Sequence, residues 1–172
     1  MHPLLRPRFV ALLALAASAS GCLYGFSSGT GLTGVETMAI IPCENDTDRL
    51  ELTAELYDIM FRRLPNQLGL VVAGEGDADV IVRCVISGYD LQTPNYRAGA
   101  NPGDAPEVLQ REVRVRAGMQ IVDPRQELIL WEDMALTAEG QFLEASETEE
   151  VGKLQALDLL VQRMIDGAQS NW

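Results

Sequence analysis

Histidine is all but missing from these 172 residues: the single one, His2, directly follows the first methionine. The rest of the chain therefore has no imidazole for general-base work, for a Ser-His pair or for a histidine zinc site. Cysteine is scarce too. The three, Cys22, Cys43 and Cys84, stand too far apart to read as a metal cluster. Aromatic residues make up only 6% of the chain, and 13 basic side chains face 25 acidic ones. That acidic balance argues against nucleic acid as a partner and against adhesion to anionic lipid by charge alone. No hydrophobic run approaches the twenty or so residues of a membrane-spanning helix. Paired carboxylates could in principle catalyse, but the acids fall in loops and on helix faces without a flanking glycine-rich or apolar pocket motif. Asn45-Asp46-Thr47-Asp48 lacks the central glycine and the twelfth-position glutamate of a calcium loop, and reads as a turn and helix cap. The composition points away from an enzyme, a resident metal and a cofactor.

What is present begins at the first residue. Met1 to Arg8 carries Arg6 and Arg8 and no acid, and an eleven-residue apolar stretch from Phe9 to Ala19 follows. It is too short to cross a bilayer and has the layout of a signal peptide. Ala19-Ser20-Gly21-Cys22 resembles a lipobox, in which small residues lie in the peptidase groove and the thiol becomes the thioether to diacylglycerol. Ala19 stands where leucine is commoner. Cleavage would leave 151 residues with eleven basic and 25 acidic side chains, a net charge of −14. Cys22 would then hold one domain on a membrane permanently, because two or more acyl chains anchor stably where one does not. The expected division is a signal peptide over 1–21, a Gly/Ser/Thr-rich tether over 22–34 and one domain over 35–172. Of the other cysteines, Cys43 and Cys84 could pair in an oxidising compartment. In a 151-residue domain with a good core one such bond is optional, and the favoured reading is two small buried side chains on strands.

Within the domain, the short apolar run Met38-Ala39-Ile40-Ile41, stopped by Pro42, predicts a central strand. Thr47 or Asp48 caps a predicted helix whose apolar face is Leu52, Leu56, Ile59, Met60 and Leu64, with Pro65-Asn66 as its stop. Leu68 to Ala73 is a second strand, and strand-helix-strand favours a right-handed parallel crossover. After a turn at Gly74–Asp77, alternation from Val80 to Ser87 predicts a third strand. Thr93 to Pro106, with three prolines, reads as a long loop. Two antiparallel strands follow, around Val113–Ile121 and Glu127–Thr137, joined by a turn at Asp123–Gln126. A Ser146–Glu149 capping box opens a last helix with Val151, Leu154, Leu157, Leu160, Val161, Met164, Ile165 and Ala168 at helical spacing. The order β-α-β-β-β-β-α predicts an α+β two-layer sandwich: a mixed sheet of about five strands with two helices on one face.

These residues resemble a known family. A lipobox cysteine with Tyr24 and Phe26, then Thr37-Met38-Ala39-Ile40-Ile41-Pro42 and Glu44-Asn45-Asp46-Thr47, is similar to LptE, the lipopolysaccharide-assembly lipoprotein. So are Ala78-Asp79-Val80, the hairpin ending in Leu130-Trp131-Glu132, and the last helix. Cys43 stands where relatives carry an apolar residue. The resemblance implies a non-catalytic outer-membrane lipoprotein on the periplasmic side. Such a protein plugs an LptD-like β-barrel, helps it assemble and helps deliver lipopolysaccharide to the outer leaflet. Leu23, in place of the aspartate that commonly retains lipoproteins in the inner membrane, agrees with that location. Arg97, Arg111, Arg114 and Arg116 are the candidate contacts for lipopolysaccharide phosphates or the barrel wall, with the solvated face of a half-buried strand as the alternative for Arg114 and Arg116. A second function stays open: an envelope lipoprotein that activates a cell-wall synthase or scaffolds a secretion pore through protein contacts.

Overall fold

The computed structural model describes residues 34–98 and 107–170. The expected signal peptide, the Cys22 lipidation site and the aromatic residues of the tether lie outside the described residues. The elements run β1 (Thr37–Ile40), β2 (Glu44–Asn45), α1 (Glu51–Leu68), β3 (Val71–Val72), β4 (Val80–Arg97), β5 (Glu107–Asp123), β6 (Leu128–Leu143) and α2 (Glu149–Ser170). The sheet is mixed and open, ordered β3-β1-β4-β5-β6, with β2 pairing β4 beyond the end of β1. Both helices pack on one face, as the hydrophobic pattern predicts.

β1 is central because it is apolar on both sides. Met38 and Ile40 join the main core beneath the helices, while Ala39 and Ile41 turn to a small second cluster with Ala78, Ile81 and Ala73. The predicted crossover is real: β3 and β4 both run parallel to β1. Asp79 fastens this junction. Its Oδ2 accepts hydrogen bonds from the Glu36 and Thr37 amides at 3.1 and 3.0 Å and from the Thr37 hydroxyl at 2.8 Å. Arg125, from the β5–β6 turn, reaches its Oδ1 at 3.2 Å. The Thr37 hydroxyl and the two amides hold this carboxyl below its ordinary pKa. A depressed folded-state value means the contribution is present above the unfolded-state value, near 3.9, and is lost as pH falls through the folded-state value. Asp79→Asn is therefore expected to unfold at lower urea than the parent at pH 7, with the gap closing as the pH falls below about 4. Urea midpoints across that range test this, and a gap constant with pH would refute it.

Five expectations need correction. The second strand, expected from Leu68 to Ala73, is only Val71–Val72, because Leu68 still belongs to α1. α1 does not stop at Pro65-Asn66: it carries Pro65 in its last turns and ends at Leu68. Gly69, in the left-handed conformation, donates its N–H to the Pro65 carbonyl and is the true terminator. Neither Thr47 nor Asp48 caps the helix, whose N-cap is Leu50. Asn45 instead folds the preceding turn, its Oδ1 accepting from both the amide and the hydroxyl of Thr47. α2 starts at Glu149 itself, and the Glu149 carboxylate turns away to Arg49 and Tyr89. Lastly, the predicted loop from Thr93 begins too early. β4 continues to Arg97, and Pro94 is tolerated because it falls at a register shift between Gln92 and Asn95.

Two further features hold the layers together. Cys43 and Cys84 form a disulfide that ties the β1–β2 link to β4. Lys153, which the apolar stripe of α2 does not foretell, is buried between the helices and bonds Glu55 of α1 and Glu150, both at 2.7 Å. Burial works against its charge, but the two carboxylates outweigh burial and raise its pKa.

Candidate functional site

With both helices on one side, the other face of the sheet is uncovered among the described residues, and strand alternation decides what it shows. On β5, Val113, Val115, Ala117, Met119 and Ile121 face the core, so Glu112, Arg114, Arg116, Gly118 and Gln120 point outward. Their cross-strand neighbours come from β4 and β6. Gly88, Asp90 and Gln92 pair with Arg116, Arg114 and Glu112, and on the other side lie Thr137, Glu139 and Gln141.

This outer face is laced with polar contacts. Arg114 sits between two carboxylates, with Nη2 2.6 Å from Glu139 and 3.2 Å from Glu112. Arg116 bonds Asp90 at 2.8 Å. Its guanidinium also lies flat over Gly88, where a Cβ would come within 2.5 Å of Nη2. The glycine thus lets the planar group settle onto the strand. Gln110 bonds Gln141, and Gln120 bonds Glu132 at 3.2 Å. Beside the end of β2 is a polar hollow of about 360 Å³ holding Arg116 with Asp46, Asp48, Arg49 and Tyr89. Arg49 stacks 5.0 Å from the Tyr89 ring centroid, and the Tyr89 hydroxyl donates to Glu149 at 2.7 Å. Burial and the neighbouring Glu149 push the Tyr89 phenol well above its ordinary pKa, so it stays a donor.

The four candidate arginines are not one cluster. Arg111 is an odd-numbered β5 residue in register with Phe142, so it belongs to the helix side of the sheet, where it pairs with Glu144. Arg97 is in register with Glu107 at the far end of the β4–β5 ribbon. Nine residues of β5 separate that position from Arg116, roughly 30 Å at the usual strand rise. Arg114 and Arg116 do share the outer face, but each has its own carboxylate. These facts favour the bland reading of those two as an ion-paired strand face. The arginine of this face without an ion pair among the described residues is Arg83, in register with Gln120. Alternation along β4 places Arg83 outward. Among the described residues, no group of three or more histidine, cysteine or acidic side chains is placed to hold a metal ion.

The long β6 edge is blunted by its own chain. Two register shifts bend it, near Met134-Ala135 and at Leu130, and the Asp133 carboxylate takes the Ala135 amide. Further along, the Gln141 amide donates to Gln155 and the Leu143 amide to Glu147.

No protein-family model matches the chain, and no curated protein matches it. Solved structures do. The protein XCC0632 of Xanthomonas campestris, of family DUF330, is similar over 80% of this chain and 85% of its own, with a TM-score of 0.53 at 9% identity. The hypothetical protein CT253 of Chlamydia trachomatis gives a TM-score of 0.50 at 13% identity, over 79% of this chain and 94% of its own. The lipoprotein GNA1162 of Neisseria meningitidis is similar at a TM-score of 0.46 and 12% identity, over 76% of this chain and 96% of its own. At these identities the likeness is one of fold.

Proposed function

We propose that this chain is a lipid-anchored envelope protein whose domain serves, without catalysing a reaction, as an accessory subunit of an outer-membrane β-barrel. On this reading Cys22 carries the anchor, the partner is an LptD-like barrel, and the task is to assist barrel assembly and lipopolysaccharide delivery. The observation that supports it best is the outer face of β4–β6. A surface covered by another protein layer or by acyl chains would be apolar at its centre. This one carries ion pairs and amide contacts through its middle, as suits a body seated in a wet barrel lumen. The Cys43–Cys84 disulfide agrees with an oxidising compartment outside the inner membrane. The LptE-like motifs supply the identity of the barrel and its cargo.

Crosslinking the tagged full-length chain in its native envelope, followed by mass identification of the partner, tests the proposal. An outer-membrane barrel captured from wild type, and lost with Cys22→Ala, is the expected result. Capture of a peptidoglycan synthase or of secretion-pore subunits instead would overturn it.

A further inference from the structure

The outer face changes character at its lower end, next to the β1–β2 link. There a hollow of about 350 Å³ opens to solvent, floored by the cross-strand pairs Arg83–Gln120 and Val85–Gly118. Ile41 and Pro42 wall one side and Met134 the other. Gly118 makes room for Met134: with no Cβ on this part of the floor, the Met134 side chain packs down over the glycine and walls the hollow. Met134 leans over the gap, its Cε 2.9 Å from where a Cβ on residue 118 would sit. Met134 itself is 58% exposed, a large apolar side chain with solvent on its free side. Arg83 is the contrast. It is exposed and makes no ion pair among the described residues, as is also true of Arg62 and Arg163 on the helices, whereas the arginines at 49, 63, 111, 114, 116 and 125 have carboxylate partners.

We propose that this hollow binds a single-chain anionic amphiphile, with its headgroup on the Arg83 guanidinium and its chain lying over Val85 between Ile41-Pro42 and Met134. A guanidinium offers a planar fork that matches carboxylate or phosphate oxygens two at a time. The Gln120 side-chain amide, opposite Arg83, is held by Glu132 at 3.2 Å, which leaves the guanidinium as the headgroup's main contact. Glu44, in register with Val85, borders the hollow beside that residue and repels an anionic head from this stretch, which leaves Arg83 as its seat. A chain held at a membrane by its own lipid meets such amphiphiles at high local concentration. The inference does not need the barrel partner, so failure of the crosslinking experiment leaves it standing.

Titration of the purified protein with decanoate and with decyl phosphate, each below its micelle-forming concentration, tests it by calorimetry and by amide NMR shifts. Decyl maltoside and inorganic phosphate serve as the uncharged-head and chainless comparisons. At least one anionic ligand is expected to bind saturably at one site, shifting the Val85 and Gly118 amides, and the stronger of the two identifies the headgroup. Arg83→Gln, an exposed change that leaves the fold intact, should weaken that binding roughly tenfold or more. Arg163→Gln, at an exposed arginine on α2, should not. Absence of saturable binding, equal binding of decyl maltoside, equal loss in both variants or no loss with Arg83→Gln would each overturn the proposal.

Discussion

Gly140→Ala is expected to destabilise the domain by about 3 kcal/mol, the upper end of the usual range for overpacking. The reason is a direct backbone contact between sheet and helix. A Cβ on residue 140 of β6 would lie 1.9 Å from the Gly152 carbonyl oxygen and 2.7 Å from the Ala156 amide nitrogen of α2. Both are main-chain atoms, so no rotamer change relieves the clash and the helix itself must lift. Lifting it withdraws Ala156, Leu157 and Leu160, all fully buried, from the core they share with Val113, Val115 and Phe142. For a domain of this length the loss corresponds to a fall of roughly 6–12 °C in Tm. Gly152→Ala should cost less, since its added methyl comes no nearer than 2.9 Å to the Phe142 ring and 3.1 Å to the Gly140 carbonyl oxygen. Gly74→Ala is the control: nothing lies within 4 Å of the added carbon, and a change within about 0.5 kcal/mol is expected. Urea and thermal unfolding of the three variants followed by circular dichroism decide it. An unchanged midpoint for Gly140→Ala would show that the two backbones are not in contact.

That contact also shows where the residue pattern is legible and where it stops. The apolar stripe of α2 announces a helix and names its buried face, and the double-sided apolar run at Met38–Ile41 announces a central strand. Both follow from periodicity, which one side chain after another enforces locally. Which strand the helix crosses depends on two glycines twelve residues apart, and neither signals the other. The same holds for the arginines. Close in sequence, Arg111 is separated from Arg114 and Arg116 by the two-residue period of a strand, which puts it on the opposite face. Their partners are out of local reach as well: Glu139 is 25 residues from Arg114, and Glu144 is 33 from Arg111. The register of β6 against β5 brings them together, and two bulges displace that register. Prolines misled for another reason. Pro65 costs α1 the bond to the Phe61 carbonyl but lies only three residues before the helix ends, and Pro94 falls at a register shift where the ladder is already interrupted. Lys153 was hidden because burial of its charge depends on Glu55, 98 residues away on the other helix.

Breaking the Cys43–Cys84 bridge should cost more than any of these substitutions. The bond closes a segment of 41 residues that contains β2, α1 and β3. Chain-entropy reasoning gives about 4 kcal/mol for a loop of that length, within a usual range of roughly 2–5. Against a typical domain stability of about 5–15 kcal/mol, that is a large fraction. The location magnifies the effect. β1 and β2 meet β4 through only five register pairs, three on β1 and two on β2, and the disulfide stands between the two sets. Both cysteines are buried, so replacement by alanine avoids placing a hydroxyl in the core and isolates the crosslink from new polar costs. The Cys43→Ala, Cys84→Ala double variant is therefore expected to unfold at markedly lower urea than the oxidised parent. Reductant should move the parent toward the variant's midpoint and leave the variant where it is. Backbone amide exchange should also rise first in β2 and at Ile41, Asp46 and neighbouring residues, whose hydrogen bonds to β4 flank the bridge. Identical midpoints for the oxidised and reduced parent would mean that the paired strands, and not the covalent link, hold this end of the sheet closed.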